Sequence, residues 1–154
     1  MYKIVAYDDT MKDGVVQFLL SILEGEFNHT GIERPDIYSI SATYQKDGGN
    51  FWVAFDQDKL IGTAGLINYG SNNGYIKRMS VDPNYRGKGI AQSLLNVLLD
   101  FAKEYSYKKL YLATSENMIA AQKFYEKEGF NRIPKLPNGF PTSGATIFYK
   151  LSLN

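Results

Sequence analysis

Val81-Asp82-Pro83-Asn84-Tyr85-Arg86-Gly87-Lys88-Gly89-Ile90-Ala91 is the stretch on which the fold turns, because a strand leads into it and a helix leads out. On its N-terminal side Tyr75 to Val81 ends in a β-friendly run, and Asp82-Pro83 stops the strand, since proline has no N–H to offer a ladder. On its C-terminal side Ile90, Ala91, Leu94, Leu95, Leu98, Phe101 and Ala102 recur at helical spacing, which predicts a helix from Ala91 to Tyr105. Arg86 to Ala91 is therefore a strand-to-helix turn. Its glycines let the backbone approach a ligand closely, and the exposed N–H groups of the first helical turn lie at the positive end of a dipole. Such a turn is an anion site, and phosphate is its usual occupant.

Outward from this turn, the chain alternates clear strand and helix signals. Lys3 to Tyr7 is a strand candidate, and Asp8-Asp9-Thr10 offers caps for an amphipathic helix from Met11 to about Phe27, with Val15, Val16, Leu19, Leu20, Leu23 and Phe27 on one broad face. Asn28 to Arg34 is a break. Pro35-Asp36 opens a second short helix carrying Ile37, Ile40 and Tyr44 on one side, and Gly48-Gly49 ends it. Phe51 to Phe55 and Leu60 to Tyr69 are strands of a hairpin turning at Asp56 to Lys59, with Gly62 and Gly65 marking close packing or a bulge. Gly70 to Asn73 then turns the chain into Tyr75 to Val81. Beyond the helix, Lys109 to Thr114 is a strand free to lie parallel to the one before it, because a whole helix intervenes. Thr114-Ser115 offers a cap for a helix from about Glu116 to Glu128, closed by Gly129. Phe130 to Ile133 and Ala145 to Leu151 are the last strands, separated by a long loop marked by Pro134, Pro137, Gly139, Pro141 and Gly144.

At 154 residues and 44% apolar content, the expectation is one domain over residues 1–154 with a real core. Lys and Arg number 17 against 16 Asp and Glu, a formal charge of +1, so no basic excess points to nucleic acid or an anionic membrane. There is no cysteine, which removes disulfides, thiolate metal sites and a cysteine acyl-enzyme together. No metal is expected. Met1 to Asp9 carries no long apolar segment after a basic start, and a cytoplasmic location is the expectation.

The turn excludes two nucleotide sites. A Walker A loop needs Ser or Thr after Gly-Lys, where Gly87-Lys88 is followed by Gly89; a Rossmann fingerprint needs a third glycine where Gln92 stands. Arg86-Gly-Lys-Gly89-Ile-Ala91, preceded by Val-Asp-Pro-x-Tyr, instead resembles the acetyl-CoA pyrophosphate loop of the GCN5-related N-acetyltransferases, the GNAT family. Ala121-x-x-Phe124-Tyr125-Glu126-Lys127-x-Gly129-Phe130 is similar to that family's ending of the helix after the fifth strand, and the order of elements agrees along the chain. The resemblance implies an α/β (α+β) GNAT fold, a single mixed, mostly antiparallel sheet of about seven strands flanked by about four helices.

It also implies an acyltransferase that uses acetyl-CoA as donor and moves the acetyl group directly to a primary amine of a small molecule or peptide. Backbone N–H groups from Gly87 to Ala91, through Lys88, Gly89 and Ile90, would hold the pyrophosphate, with Arg86 and Lys88 adding charge. Pantetheine would lie beside Met79-Ser80-Val81 as if it were another strand, and the Met79 N–H is the oxyanion candidate. Tyr125 is the catalytic candidate, a phenol of pKa ~10 that stays protonated at neutral pH and can protonate a nascent thiolate. Where many members carry an asparagine for the pantetheine, this chain has Met118, with Asn117 one residue earlier as the candidate.

The family's strand glutamate, in Glu-Leu-Lys-Arg, is replaced: the chain reads Tyr75-Ile76-Lys77-Arg78. Glu24, Glu26 and His29, the only histidine, are the substitute bases, beside a water chain or an acceptor that arrives partly neutral. Two other functions stay open, a CoA-binding sensor without turnover and a transferase acting on a protein N-terminus or lysine. A homodimer is also open.

Overall fold

The computed structural model describes residues 1–26, 34–142 and 144–153. A seven-stranded sheet runs in the order β1-β2-β3-β4-β5-β7-β6. Its strands are β1 (Lys3–Ala6), β2 (Asn50–Asp56), β3 (Lys59–Asn68), β4 (Asn73–Val81), β5 (Lys109–Thr114), β6 (Asn131–Ile133) and β7 (Ile147–Ser152). All neighbouring pairs are antiparallel except β4 and β5, which run parallel because a helix carries the chain between them.

That helix, α3 (Ile90–Glu104), buries Ile90, Leu94, Leu95, Leu98 and Ala102 against one sheet face with α4 (Ile119–Lys127) beside it. Each fully buried leucine contributes roughly 1.5–3 kcal/mol. Across the opposite face lie α1 (Lys12–Leu20) and α2 (Ile40–Tyr44), packing Val15, Leu19, Ile40 and Tyr44 on Phe51, Val53 and Ile67. No helix among the described residues is long and apolar enough to cross a membrane.

Several boundaries differ from the sequence expectation. The first long helix is α-helical only to Leu20 and then widens into a π-helical segment, Ser21–Glu26. Its cap is Asp8, whose carboxylate accepts from the Thr10 N–H and opens a 3-10 turn, Asp9–Met11. Pro35 begins a 3-10 turn, Pro35–Tyr38, ahead of α2, so the expected second helix is two pieces. The last helix starts at Ile119 rather than Glu116, because the Ser115 carbonyl is taken by the Met118 N–H and the Gln122 side chain in a turn. Both roles expected of the β3 glycines are realised. A Cβ on Gly65 would stand 2.6 Å from the Tyr44 ring, and the β3–β4 register shifts between Thr63 and Gly65.

Candidate active site

β4 and β5 pair only at Asn73–Tyr75 with Lys109–Tyr111, although both strands continue beyond those residues. They part because β4 bulges at Arg78, whose φ of 57° puts a non-glycine residue in the left-handed region. Two contacts hold that conformation. The hydroxyl of the fully buried Thr63 donates to the Arg78 carbonyl at 2.6 Å, and the guanidinium is gripped by Asp36. Past the bulge, Met79-Ser80-Val81 presents an edge with no β5 ladder partner, and main-chain groups on such an edge are available to an extended ligand.

A cleft of about 660 Å3 begins at this edge. Every expected site residue lines it except Lys88. Gly87 and Gly89 have φ of 78° and 83°, and a Cβ on either would meet nothing within 4 Å, so the turn is both left-handed and open in front. Gly89 is the N-cap of α3 with no side-chain cap, and the first helical acceptor, the Gly89 carbonyl, is reached only by Ser93 N–H. No N–H from Gly87 to Ala91 donates to a described acceptor, so these groups are open to a ligand. This donor set fits a pyrophosphate.

Of the two charged side chains expected at the turn, Arg86 lines the cleft and Lys88 does not. Arg86 Nε donates to the Val81 carbonyl at 3.1 Å, tying the turn back to the end of β4. Lys88 Nζ stands 5.2 Å from the centroid of the Tyr85 ring, outside the cleft, and Lys59 sits over the same ring at the same distance. The Tyr85 hydroxyl donates to Asp56 at 2.9 Å, which anchors the 3-10 turn Pro83–Tyr85 on the β2–β3 hairpin.

The opposite wall is α4 with the turn before it. Asn117 is exposed and Met118 is the N-cap residue; both line the cleft, so the side-by-side pair faces one cavity. Tyr125 is buried, with its ring against Phe124, Phe130 and Tyr149 at centroid distances of 5.2, 5.5 and 6.3 Å. Its hydroxyl makes no hydrogen bond to a described residue, and burial pushes its pKa well above that of an ordinary phenol. Such a group is protonated throughout the neutral range and has its proton uncommitted.

At its far end the cleft meets Ile22, in the segment that follows α1, so it opens toward the face carrying α1 and α2. Ile22 was not singled out in the sequence; its place near the end of the long apolar stripe was the available signal. Tyr75, in the position of the family glutamate, donates its hydroxyl to the Pro141 carbonyl at 2.8 Å, and burial followed by Tyr69 pushes it up to about 12. A phenol so placed cannot accept a proton at neutral pH. Of the substitute bases, the side chains of Glu24 and Glu26 and all of His29 lie outside the described residues.

The comparisons with known proteins agree with this geometry. Residues 16–130 match the model described as acetyltransferase (GNAT) family. The crystal structure of an acetyltransferase of GNAT family from Staphylococcus aureus Mu50 superposes with a TM-score of 0.94 at 34% identity, covering 100% of both chains. N-acetylaspartate synthetase of Xenopus tropicalis is 42% identical over 102 residues, 65% of this chain and 38% of that one. The chain spans less than half the length of such curated relatives. A PaiA N-acetyltransferase from Thermoplasma acidophilum, solved in complex with coenzyme A, shares the fold with a TM-score of 0.79 at 16% identity over 99% of both chains. The chain belongs to the GNAT family of acetyltransferases.

Proposed function

We propose that this chain, as one domain over residues 1–154, is an N-acetyltransferase that moves the acetyl group of acetyl-CoA directly to the primary amine of a small molecule. One observation carries the reading: the glycine turn, the edge of β4 without a β5 partner, and Tyr125, whose hydroxyl bonds no described residue, all line one cleft. Acetyl-CoA supplies the acetyl thioester. The turn from Gly87 to Ala91 binds its pyrophosphate through backbone N–H groups, and Arg86 stiffens that turn through Val81. The edge Met79-Ser80-Val81 and Asn117 hold the pantetheine between them, and the Met79 N–H stabilises the carbonyl oxygen on which negative charge develops. Tyr125 donates a proton to the departing sulfur as the C–S bond breaks, and the proton lost by the amine nitrogen, carried by water, restores the phenol. Direct transfer suits a chain with no cysteine.

Similarity to a protein named N-acetylaspartate synthetase favours a small acceptor over a protein one. The test is release of free thiol from acetyl-CoA over a panel of amines, with mass spectrometry of the acetylated product. Tight acetyl-CoA binding without release over the panel favours a CoA sensor instead. Acetylation of protein N-termini or lysines alone would move the acceptor to a macromolecule.

A further inference from the structure

Among the described residues Lys77 is a cation with no hydrogen-bond or ion-pair partner, on the sheet face that carries α1 and α2. Its side chain shares a sheet face with Gly65, its cross-strand neighbour, and a Cβ on Gly65 would point at Tyr44 and Phe51, which places Lys77 on the side of α1 and α2. The side chain is half-buried, and it makes no hydrogen bond or ion pair with any described residue. The described carboxylate whose charge reaches it, Asp36, is already committed: both of its oxygens take Arg78 nitrogens, and one also accepts from the Tyr44 hydroxyl. Arg78 therefore neutralises Asp36, and among the described residues the positive charge of Lys77 is left over. Burial draws the Lys77 pKa down and Arg78 adds to that, with Asp36 only partly offsetting them.

Along β4, Lys77 and Met79 flank the Arg78 bulge, one on each side of it. A four-carbon lysine stem is long enough to reach from Lys77 toward the acceptor side of an acetyl group bound at Met79, as the proposed function has it. Tyr69, whose hydroxyl bonds no described residue, also feels the Asp36 charge, and the Phe140 ring packs edge-on against it at a centroid distance of 4.5 Å. Leaving a partly buried ammonium without a counter-ion is unfavourable, and an anionic ligand removes the cost.

We propose that Lys77 binds a carboxylate of the acceptor, so that the acceptor is an amino acid whose carboxylate stands a few bonds from the reacting amine; this rests on the acetyltransferase reading above. The ammonium contributes a charge-assisted hydrogen bond that an amide of the same shape cannot match. An uncharged amine would leave Lys77 as it is in the free chain.

The experiment compares kcat/KM for L-aspartate and L-alanine with those for their amides, in the unaltered chain, Lys77→Met and Lys77→Arg. An amide has the less basic amine and so more neutral nucleophile, which makes a preference for the free carboxylate attributable to binding. The unaltered chain is expected to prefer at least one free amino acid by tenfold or more. Lys77→Met should lower that ratio by about 10–100-fold and Lys77→Arg by much less, with acetyl-CoA affinity the same in all three. No preference in the unaltered chain, or a preference that survives in Lys77→Met, overturns the assignment. Calorimetry in the presence of CoA with the N-acetyl derivative of whichever amino acid is preferred reads the same contact without turnover: binding lost in Lys77→Met supports it. Equal binding to both, or none to the unaltered chain, overturns it. Failure of the acetyltransferase reading would be seen separately, as absent acetyl-CoA binding or absent thiol release.

Discussion

Asp36 and Arg78 form a bidentate ion pair, with Arg78 Nε and Nη2 donating to the two carboxylate oxygens at 2.8 and 2.7 Å. The Tyr44 hydroxyl adds a third donor at 2.7 Å. The pair joins the 3-10 turn Pro35–Tyr38 to the bulge of β4, one residue ahead of Met79. Burial works to raise the Asp36 pKa, but the Arg78 hydrogen bonds and charge, helped by Tyr44, outweigh it and bring the carboxyl to about 2.

Asp36→Ala should therefore destabilise the chain by about 2–4 kcal/mol, since it strands a guanidinium whose side chain is only 16% exposed. The urea midpoint at neutral pH checks this. In the unaltered chain the folded pKa of Asp36 lies below its ordinary value of 3.8, so its contribution is fully present above about pH 4. It is lost as pH falls through about 2. That contribution is about 2 kcal/mol, and the loss of stability between pH 5 and pH 2 should be smaller by about that amount in Asp36→Ala.

Thr63→Val tests the other contact on the bulge. The change keeps the shape but removes the hydroxyl that donates to the Arg78 carbonyl. Stability should fall by about 1–2 kcal/mol. If the bulge sets the Met79 N–H, kcat should fall more than the affinity for acetyl-CoA; equal effects on both would mean that the contact serves only the fold.

Neither contact was legible in the sequence, for a physical reason. Asp36 and Arg78 are 42 residues apart, and Thr63 and Arg78 are separated by 15, so only the folded sheet brings them together. What local chemistry decides was readable. The stripe from Ile90 to Ala102 and the strand from Lys109 to Thr114 came out within a residue of the observed bounds, because burial on one face writes its period into the chain. The turn from Arg86 to Ala91 was readable because glycine adopts its left-handed φ without the strain a side chain brings. The π segment after Leu20 and the late start of α4 depend on packing and on a competing turn, so the apolar pattern alone overran both. The stacking of Lys88 on Tyr85 was equally hidden, since charge composition does not say where a flexible stem will rest.

Gly89→Val should weaken acetyl-CoA binding tenfold or more. With φ at 83° any side chain there strains the backbone by about 1–2 kcal/mol, and its Cβ projects into the open space ahead of the turn. Because nothing in the protein occupies that space, the fold should survive with a modest drop in melting temperature. Calorimetric titration with acetyl-CoA decides it: unchanged affinity in a folded variant would sink the phosphate role of the turn.

Tyr125→Phe isolates the proposed proton donor. The ring contacts with Phe124, Phe130 and Tyr149 remain, and because the hydroxyl makes no hydrogen bond to a described residue, its removal leaves no stranded partner there. Stability should hence change by less than about 1 kcal/mol. Thiols leave fairly readily unaided, with a pKa near ~8.5, so the loss of the donor should fall at the lower end of general-acid effects. The expected outcome is a kcat lower by roughly 10–100-fold, with the dissociation constant for acetyl-CoA within about threefold. Burial that raises the Tyr125 pKa adds a second expectation, that no loss of rate on the alkaline side up to pH 10 arises from this phenol. Collapse of acetyl-CoA binding with turnover of the bound complex preserved would make Tyr125 a wall of the cleft. No change in either would assign the protonation of the sulfur to water.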